Sequence, residues 1–224
     1  MTNLDRNSTL LAVALSSLAG YVDSIGFLNT GGFFVSFMTG NSTRLGVATG
    51  IGELNNIVIA AGVIFCFLIG VAGGTLIAER STRRKRMRVL LLVSGLLALA
   101  TFSWIFHVPH LGLATVVMAM GAVNAVFHQE GEISIGLTYM TGVLVKCGQM
   151  IAGVFLGKPR WEWLPYLMLW FGLICGAALG AWAYSHLGTN SLAFAVGWSL
   201  ILAIIAGQRE FTNIKNKSGA LDEN

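Results

Sequence analysis

Asp23, Arg44, Asn124 and Lys146 are the residues of this chain whose types and places could do chemistry: three ionise, and all four fall inside long apolar runs. A buried cation there costs several kcal/mol, with estimates from about 2.5 upward, unless it is paired or hydrated. Arg44 and Lys146 therefore call for partners, and Asp23, the acid in the middle of an apolar segment, is the obvious one. Two cations against one carboxylate leave a spare positive charge, which suits a small anion. Helix N-termini near Thr39-Gly40-Asn41 and Thr141-Gly142 would help, because free backbone N–H groups point outward there and glycine lets a ligand approach. The blander alternative is that Arg44 and Lys146 reach from helix ends to the interface while Asp23 only fixes helix packing. Asp23 also has a role open to it as a proton site, if it meets Arg44 in one conformation and not in another.

These residues belong to an internal echo. Gly20-Tyr21-Val22-Asp23 leads to Met38-Thr39-Gly40, and Gly121-Ala122-Val123-Asn124 leads to Met140-Thr141-Gly142. Arg44 and Lys146 each follow the matching Met by six residues, and Gly46 and Gly148 come two residues later. A duplicated apolar chain with a polar centre is the layout of many transporters.

The elements that must carry these groups are membrane helices. Of 224 residues 55% are hydrophobic and 11% charged, with a mean hydropathy of +0.73, too little polar surface to coat a soluble globule. The net charge of +4 does not point to nucleic acid, because the basic residues gather at the ends of apolar runs. Cys66, Cys147 and Cys175 all lie inside apolar stretches without paired spacing, so they indicate neither a disulfide framework nor a zinc site. They read as small packing residues.

A bilayer core of about 30 Å needs roughly 20 helical residues. Eight segments come near that length: Leu10 to Leu28, Phe33 to Ile51, Ile57 to Ala78, Val89 to Phe106, Leu111 to Phe127, Leu137 to Leu156, Leu164 to Tyr184 and Leu192 to Ala206. The second is interrupted by Thr39-Gly40-Asn41-Ser42-Thr43-Arg44, and the sixth carries Thr141, Gly142, Lys146 and Gln149, which a lipid-facing helix would not tolerate. If all eight cross, placing the Arg80 to Arg88 loop inside leaves Arg6, Lys158, Arg160, Arg209, Lys215 and Lys217 on the wrong side. If the second and sixth are discontinuous or re-entrant, both termini are cytoplasmic, and Arg44 and Lys146 are the only cations not placed inside.

Each half then has three crossings and one broken segment, so the halves are inverted. Gly70 and Gly74 match Gly176 and Gly180, a small-xxx-small spacing that allows close helix approach. The expected fold is one all-α membrane domain over residues 1–224. It consists of repeat 1 (about 9–106), repeat 2 (about 111–207), six full transmembrane helices, two re-entrant ones, and a polar cytoplasmic tail at 208–224 without fixed structure. Eight crossings with parallel repeats is the alternative.

The string from Gly20 to Asp23 through Phe33-Phe34-Val35-Ser36-Phe37-Met38-Thr39-Gly40-Asn41-Ser42, with Asn124-Ala125-Val126-Phe127 and Thr138-Tyr139-Met140-Thr141-Gly142, resembles the YoaK-like family of bacterial multi-pass inner-membrane proteins. The resemblance covers essentially the whole chain. It implies location in the bacterial inner membrane and brings no substrate.

His128, Glu130 and Glu132 form a second cluster, but the spacing is not a metal-binding pattern and reads as a solvated connector. No metal or cofactor is expected. The function expected is a secondary transporter or exporter of a small anionic metabolite, with a central site of Asp23, Thr39, Gly40, Asn41, Arg44, Asn124, Thr141, Gly142 and Lys146 between the repeats. A passive channel, or a structural or lipid-handling membrane protein, is the alternative. An enzyme is not expected, since no Ser-His, Asp-Asp or metal constellation lies in the apolar segments. The partners expected are the small molecule and the bilayer, with a homodimer allowed and nucleic acid excluded.

Overall fold

The computed structural model describes residues 6–81, 84–127, 139–157 and 161–222; the His128, Glu130 and Glu132 cluster, Lys158 and Arg160 lie outside these. The described chain is helical, with no strand: α1 (Arg6–Asn29), α2 (Met38–Ile51), α3 (Leu54–Glu79), α4 (Lys85–Ile105), α5 (Pro109–Ala122), α6 (Met140–Phe155), α7 (Leu164–Leu187) and α8 (Leu192–Asp222). A 3-10 turn, Val123–Phe127, continues α5, and another, Gly188–Ser191, joins α7 to α8. Helices are what an apolar chain must form in lipid, because only they satisfy every backbone group within the segment. Proline sits in the first turn of α5 and of α7, where its missing N–H leaves no helical bond unmade.

Five stretches of the described chain are long and apolar enough to cross a bilayer: Ser8–Asn29, Leu54–Glu79, Lys85–Ile105, Pro109–Phe127 and Leu164–Phe211. The last, of 48 residues, holds both α7 and α8. As one helix it would measure about 72 Å, more than twice the hydrocarbon thickness, and it breaks at Gly188, where φ is 58°. In contrast α2 has 14 residues and α6 has 16, about 21 and 24 Å. Two expected boundaries change most. The second segment becomes helical only at Met38, leaving 33–37 irregular, and α8 does not stop at Ala206 but continues as helix to Asp222.

The helices pair across the two halves of the chain. Along α1 and α7, Val13 meets Gly172, Ser17 meets Gly176 and Tyr21 meets Gly180, so the two run in the same direction. Along α5 and α3, Met118 meets Gly70 and Ala122 meets Gly74, again in the same direction. The register is the same in both pairs: a methyl group on Gly20 would strike the Leu173 carbonyl, and one on Gly121 would strike the Phe67 carbonyl. Glycine at these positions removes the side chain that would hold the backbones apart.

Helix directions follow from further contacts. Met87 lies against Gly207, the Arg86 backbone N–H donates to Glu210 Oε1 at 3.0 Å, and Ser94 bonds Ser199, so α4 and α8 are antiparallel. The Tyr21 hydroxyl donates to the Ser191 carbonyl at 2.8 Å, while Ser8 at the start of α1 accepts from Arg86 beside Glu210, so α1 and α8 are also antiparallel. Gly112 early in α5 packs on Trp104 late in α4, closing that hairpin. Thus α1, α4 and α7 run one way and α3, α5 and α8 the other. The buried core lies where they meet, around Leu15, Leu18, Val93, Leu97, Met120 and Leu202.

Candidate functional site

Because α1 ends and α3 begins at the same end of the bundle, the chain between them enters and returns. Gly31 and Gly32, with φ of 69° and 119°, turn it back. These are left-handed values that a residue with a Cβ rarely adopts. Residues 33–36 then run beside α1 as irregular backbone, whose N–H groups have no helix to bond. Each is taken by a side chain. Thr30 Oγ1 accepts from the Phe33 N–H at 3.0 Å, Asn41 Oδ1 from the Phe34 N–H at 3.0 Å, and Asp23 Oδ1 from those of Val35 and Ser36 at 2.7 and 2.8 Å. Asn41 Nδ2 also donates to the Phe34 carbonyl at 2.6 Å, and the Thr30 hydroxyl lies 2.8 Å from that of Gly26. Such satisfaction is the condition for non-helical backbone at membrane depth. Gly26 lets Val35 pack directly on α1.

The expected ion pair between Asp23 and Arg44 gives way to this arrangement. Asp23 binds the backbone, and the Arg44 guanidinium lies against Gly32 with its carbon 4.9 Å from the centre of the Phe33 ring. Two N–H donors of buried residues have the stronger claim on the carboxylate, while Arg44 is exposed and loses less by not pairing with it.

Asn41 is fully buried and Thr39 exposed. Gly40 sits beneath the rings of Phe37 and Phe34, and Gly142 beneath that of Tyr139, so in both halves an aromatic three residues earlier folds across the glycine. Asn124 turns its amide back, donating to the Met120 carbonyl at 3.0 Å. Thr141 and Lys146 are exposed on α6. Thr30 and Ser36 were not singled out from sequence; the adjoining Gly31-Gly32 turn was the available signal.

Arg44 and Lys146 do not face each other. Lys146 precedes Cys147, whose Sγ lies 3.9 Å from the Trp163 carbonyl ahead of α7. Since Gly172 is level with Val13, Trp163 lies beyond the start of α1, whereas Arg44 lies at Gly32, past its end. By helical rise the two cations are on the order of 30 Å apart along the bundle. The first turns of α2 and α6 start deeper: α2 begins next to the segment held by Asp23, and Met140 at the start of α6 lies 3.9 Å from Ser16 Oγ, halfway along α1.

Long apolar helices, small-residue contacts between them and an irregular segment whose N–H groups at 33–36 are all taken by side chains define an α-helical integral membrane protein. The chain belongs to the family described as "Protein of unknown function (DUF1275)", whose model matches residues 11–205. It is 36% identical over 171 residues to the UPF0700 transmembrane protein RA0705 of Rhizobium meliloti (strain 1021), covering 76% of this chain and 73% of that one. It is 28% identical over 169 residues to the UPF0700 transmembrane protein YoaK of Bacillus subtilis (strain 168), covering 71% and 74%. No solved structure matches.

Proposed function

We propose that the protein is a secondary transporter, taking up or exporting a small anionic metabolite across the bacterial inner membrane. In this reading its halves are inverted repeats, α1, α3, α4, α5, α7 and α8 cross fully, α2 and α6 enter part way from opposite faces, and both termini are cytoplasmic. The observation that carries it is the reciprocal packing of Gly20 on Leu173 and Gly121 on Phe67, in helix pairs that run in opposite directions. The offsets support it: Gly121 is 101 positions after Gly20, and Gly176 and Leu173 are each 106 after Gly70 and Phe67. Helices exchanged between inverted halves leave two equivalent states related by the same axis, which is the structural basis of alternating access.

Anions are the favoured class because α2 and α6 both begin at depth, and a helix N-terminus is the positive end of its dipole. Arg44 and Lys146, one toward each end, would concentrate anions at the two mouths rather than share one central site. The test uses purified protein in liposomes preloaded with acetate, succinate or inorganic phosphate, followed by entry of the labelled compound. Saturable counterflow of at least one is expected. Flux rising linearly with concentration, without counterflow, would identify a channel, and no flux of any of the three would leave a structural role.

A further inference from the structure

Asp23 stands alone in its charge environment. The other acids whose positions are described, Glu53, Glu79, Glu162, Glu210 and Asp222, lie at helix ends or, for Glu210, level with the first turn of α4. Asp23 lies six residues inside the end of α1, about 9 Å by helical rise. The groups facing it are few. Residues 33–36 contribute none that titrates, and α2 contributes Arg44, turned onto Phe33. α7 presents Gly180 to Tyr21 and Ser24, and its titratable side chains are Tyr166, Cys175, Tyr184, hydrogen-bonded to Asn29, and the exposed His186. α5 carries only the exposed His110, and α8 has none between Leu192 and Gln208.

Both backbone bonds converge on Oδ1. Oδ2 takes neither, and the side chain keeps partial exposure. A proton added to Oδ2 breaks neither backbone bond, because the carbonyl oxygen of the acid still accepts both N–H groups, and the Ser36 hydroxyl, which also bonds the carboxyl, can accept as well as donate. An ionised Asp23 next to the start of α2 would repel an arriving anion, whereas the neutral acid would not. The matching position holds Asn124, which cannot titrate, so a chain has one such group.

We infer that Asp23 binds the coupling proton, taking it on Oδ2 from one side together with the anion and releasing it to the other. This rests on the transport reading above. Asp23→Asn is the informative variant, since its amide oxygen keeps both backbone bonds while holding no exchangeable acid proton. Two measurements decide. In infrared difference spectra of the protein in liposomes, with no anion present, lowering the pH should raise a protonated-carboxyl band that persists in Glu210→Gln and is lost in Asp23→Asn. A band unchanged in Asp23→Asn overturns the assignment. In liposomes with an acidic exterior, wild-type protein should accumulate the probe anion, while Asp23→Asn keeps counterflow and loses at least tenfold of the accumulation. Accumulation by Asp23→Asn equal to wild type, or driven by a sodium gradient instead, overturns the inference alone. Absence of counterflow in the wild type removes the transport reading and the coupling with it.

Discussion

Ser94 of α4 and Ser199 of α8 hydrogen-bond to each other at 2.8 Å in the buried core, one donating and the other accepting, and the accepting hydroxyl donates to its own helix, to the Leu90 carbonyl for Ser94 or the Val196 carbonyl for Ser199. They are 105 positions apart in a chain whose glycine pairs recur at 106. In the inverted reading proposed above, such a meeting of near-equivalent positions would lie close to the two-fold axis. Because both hydroxyls can fall back on helix carbonyls, Ser94→Ala and Ser199→Ala should each be mild. A double-mutant cycle should give a coupling of about 0.6 kcal/mol, the average for hydrogen bonds between membrane helices. Unfolding in mixed detergent micelles measures it, and zero coupling would separate the two residues.

The glycines divide into two groups that should respond oppositely to a methyl group. Gly20, Gly70, Gly121 and Gly176 each face backbone of a partner helix, whereas Gly46 and Gly148 have nothing near the position a Cβ would take. Alanine at any of the first four should cost about 1–3 kcal/mol by overpacking. Alanine at Gly46 or Gly148 should be neutral or stabilising by up to about 1 kcal/mol through helix propensity. Melting temperatures in detergent read both, and equal losses at Gly20 and Gly121 would match the shared register of their pairs.

Asn41 is the residue whose loss should most damage the re-entrant segment. Its amide meets both the N–H and the carbonyl of Phe34, so Asn41→Ala leaves two polar groups unpaired at about 1–3 kcal/mol each. The predicted readout is faster amide hydrogen exchange at Phe34 to Ser36, with α4 and α8 unaffected. Thr30→Val, which removes the acceptor of the Phe33 N–H, should act in the same direction with a smaller effect. Exchange unchanged in Asn41→Ala would mean that the segment is held by packing alone.

How much of this was legible in the sequence depends on whether a residue acts locally or across the fold. The broken second segment showed itself through the polar run from Thr39 to Arg44, because buried charge is local. The same polarity suggested Asn41 and Asp23 as ligand groups, whereas in the fold they bond the backbone of 33–36. Which side chain serves which N–H depends on the path of the returning chain, and that is not written in spacing. The matched positions of Arg44 and Lys146 suggested one shared centre. In the inverted reading, counterparts fall at opposite ends of the bundle unless they lie near the axis, where that reading puts Ser94 and Ser199. The tail after Ala206 was read from its polarity as unstructured, yet α8 carries its helix onward to Asp222.

Arg44 and Lys146 also provide the sharpest test of orientation. Arg44 lies at the end of the bundle where α1 finishes and α3 starts, and Lys146 lies toward the end where α1 starts, near Trp163. The basic start of α4, with Lys85, Arg86 and Arg88, shares that second end with the start of α1, as Arg86 to Ser8 at 3.4 Å records, and positive loops remain in the cytoplasm. In a background with Cys66, Cys147 and Cys175 changed to serine, Arg44→Cys should react in intact cells with a thiol reagent confined to the outer face. Lys146→Cys should react only once the inner face is opened, and a fluorescent reporter fused to the C-terminus should be active inside. Labelling of both cysteines from one side would require α5 and α6 to enter from the same face as α1 and α2, and the inverted arrangement would have to be abandoned for parallel repeats.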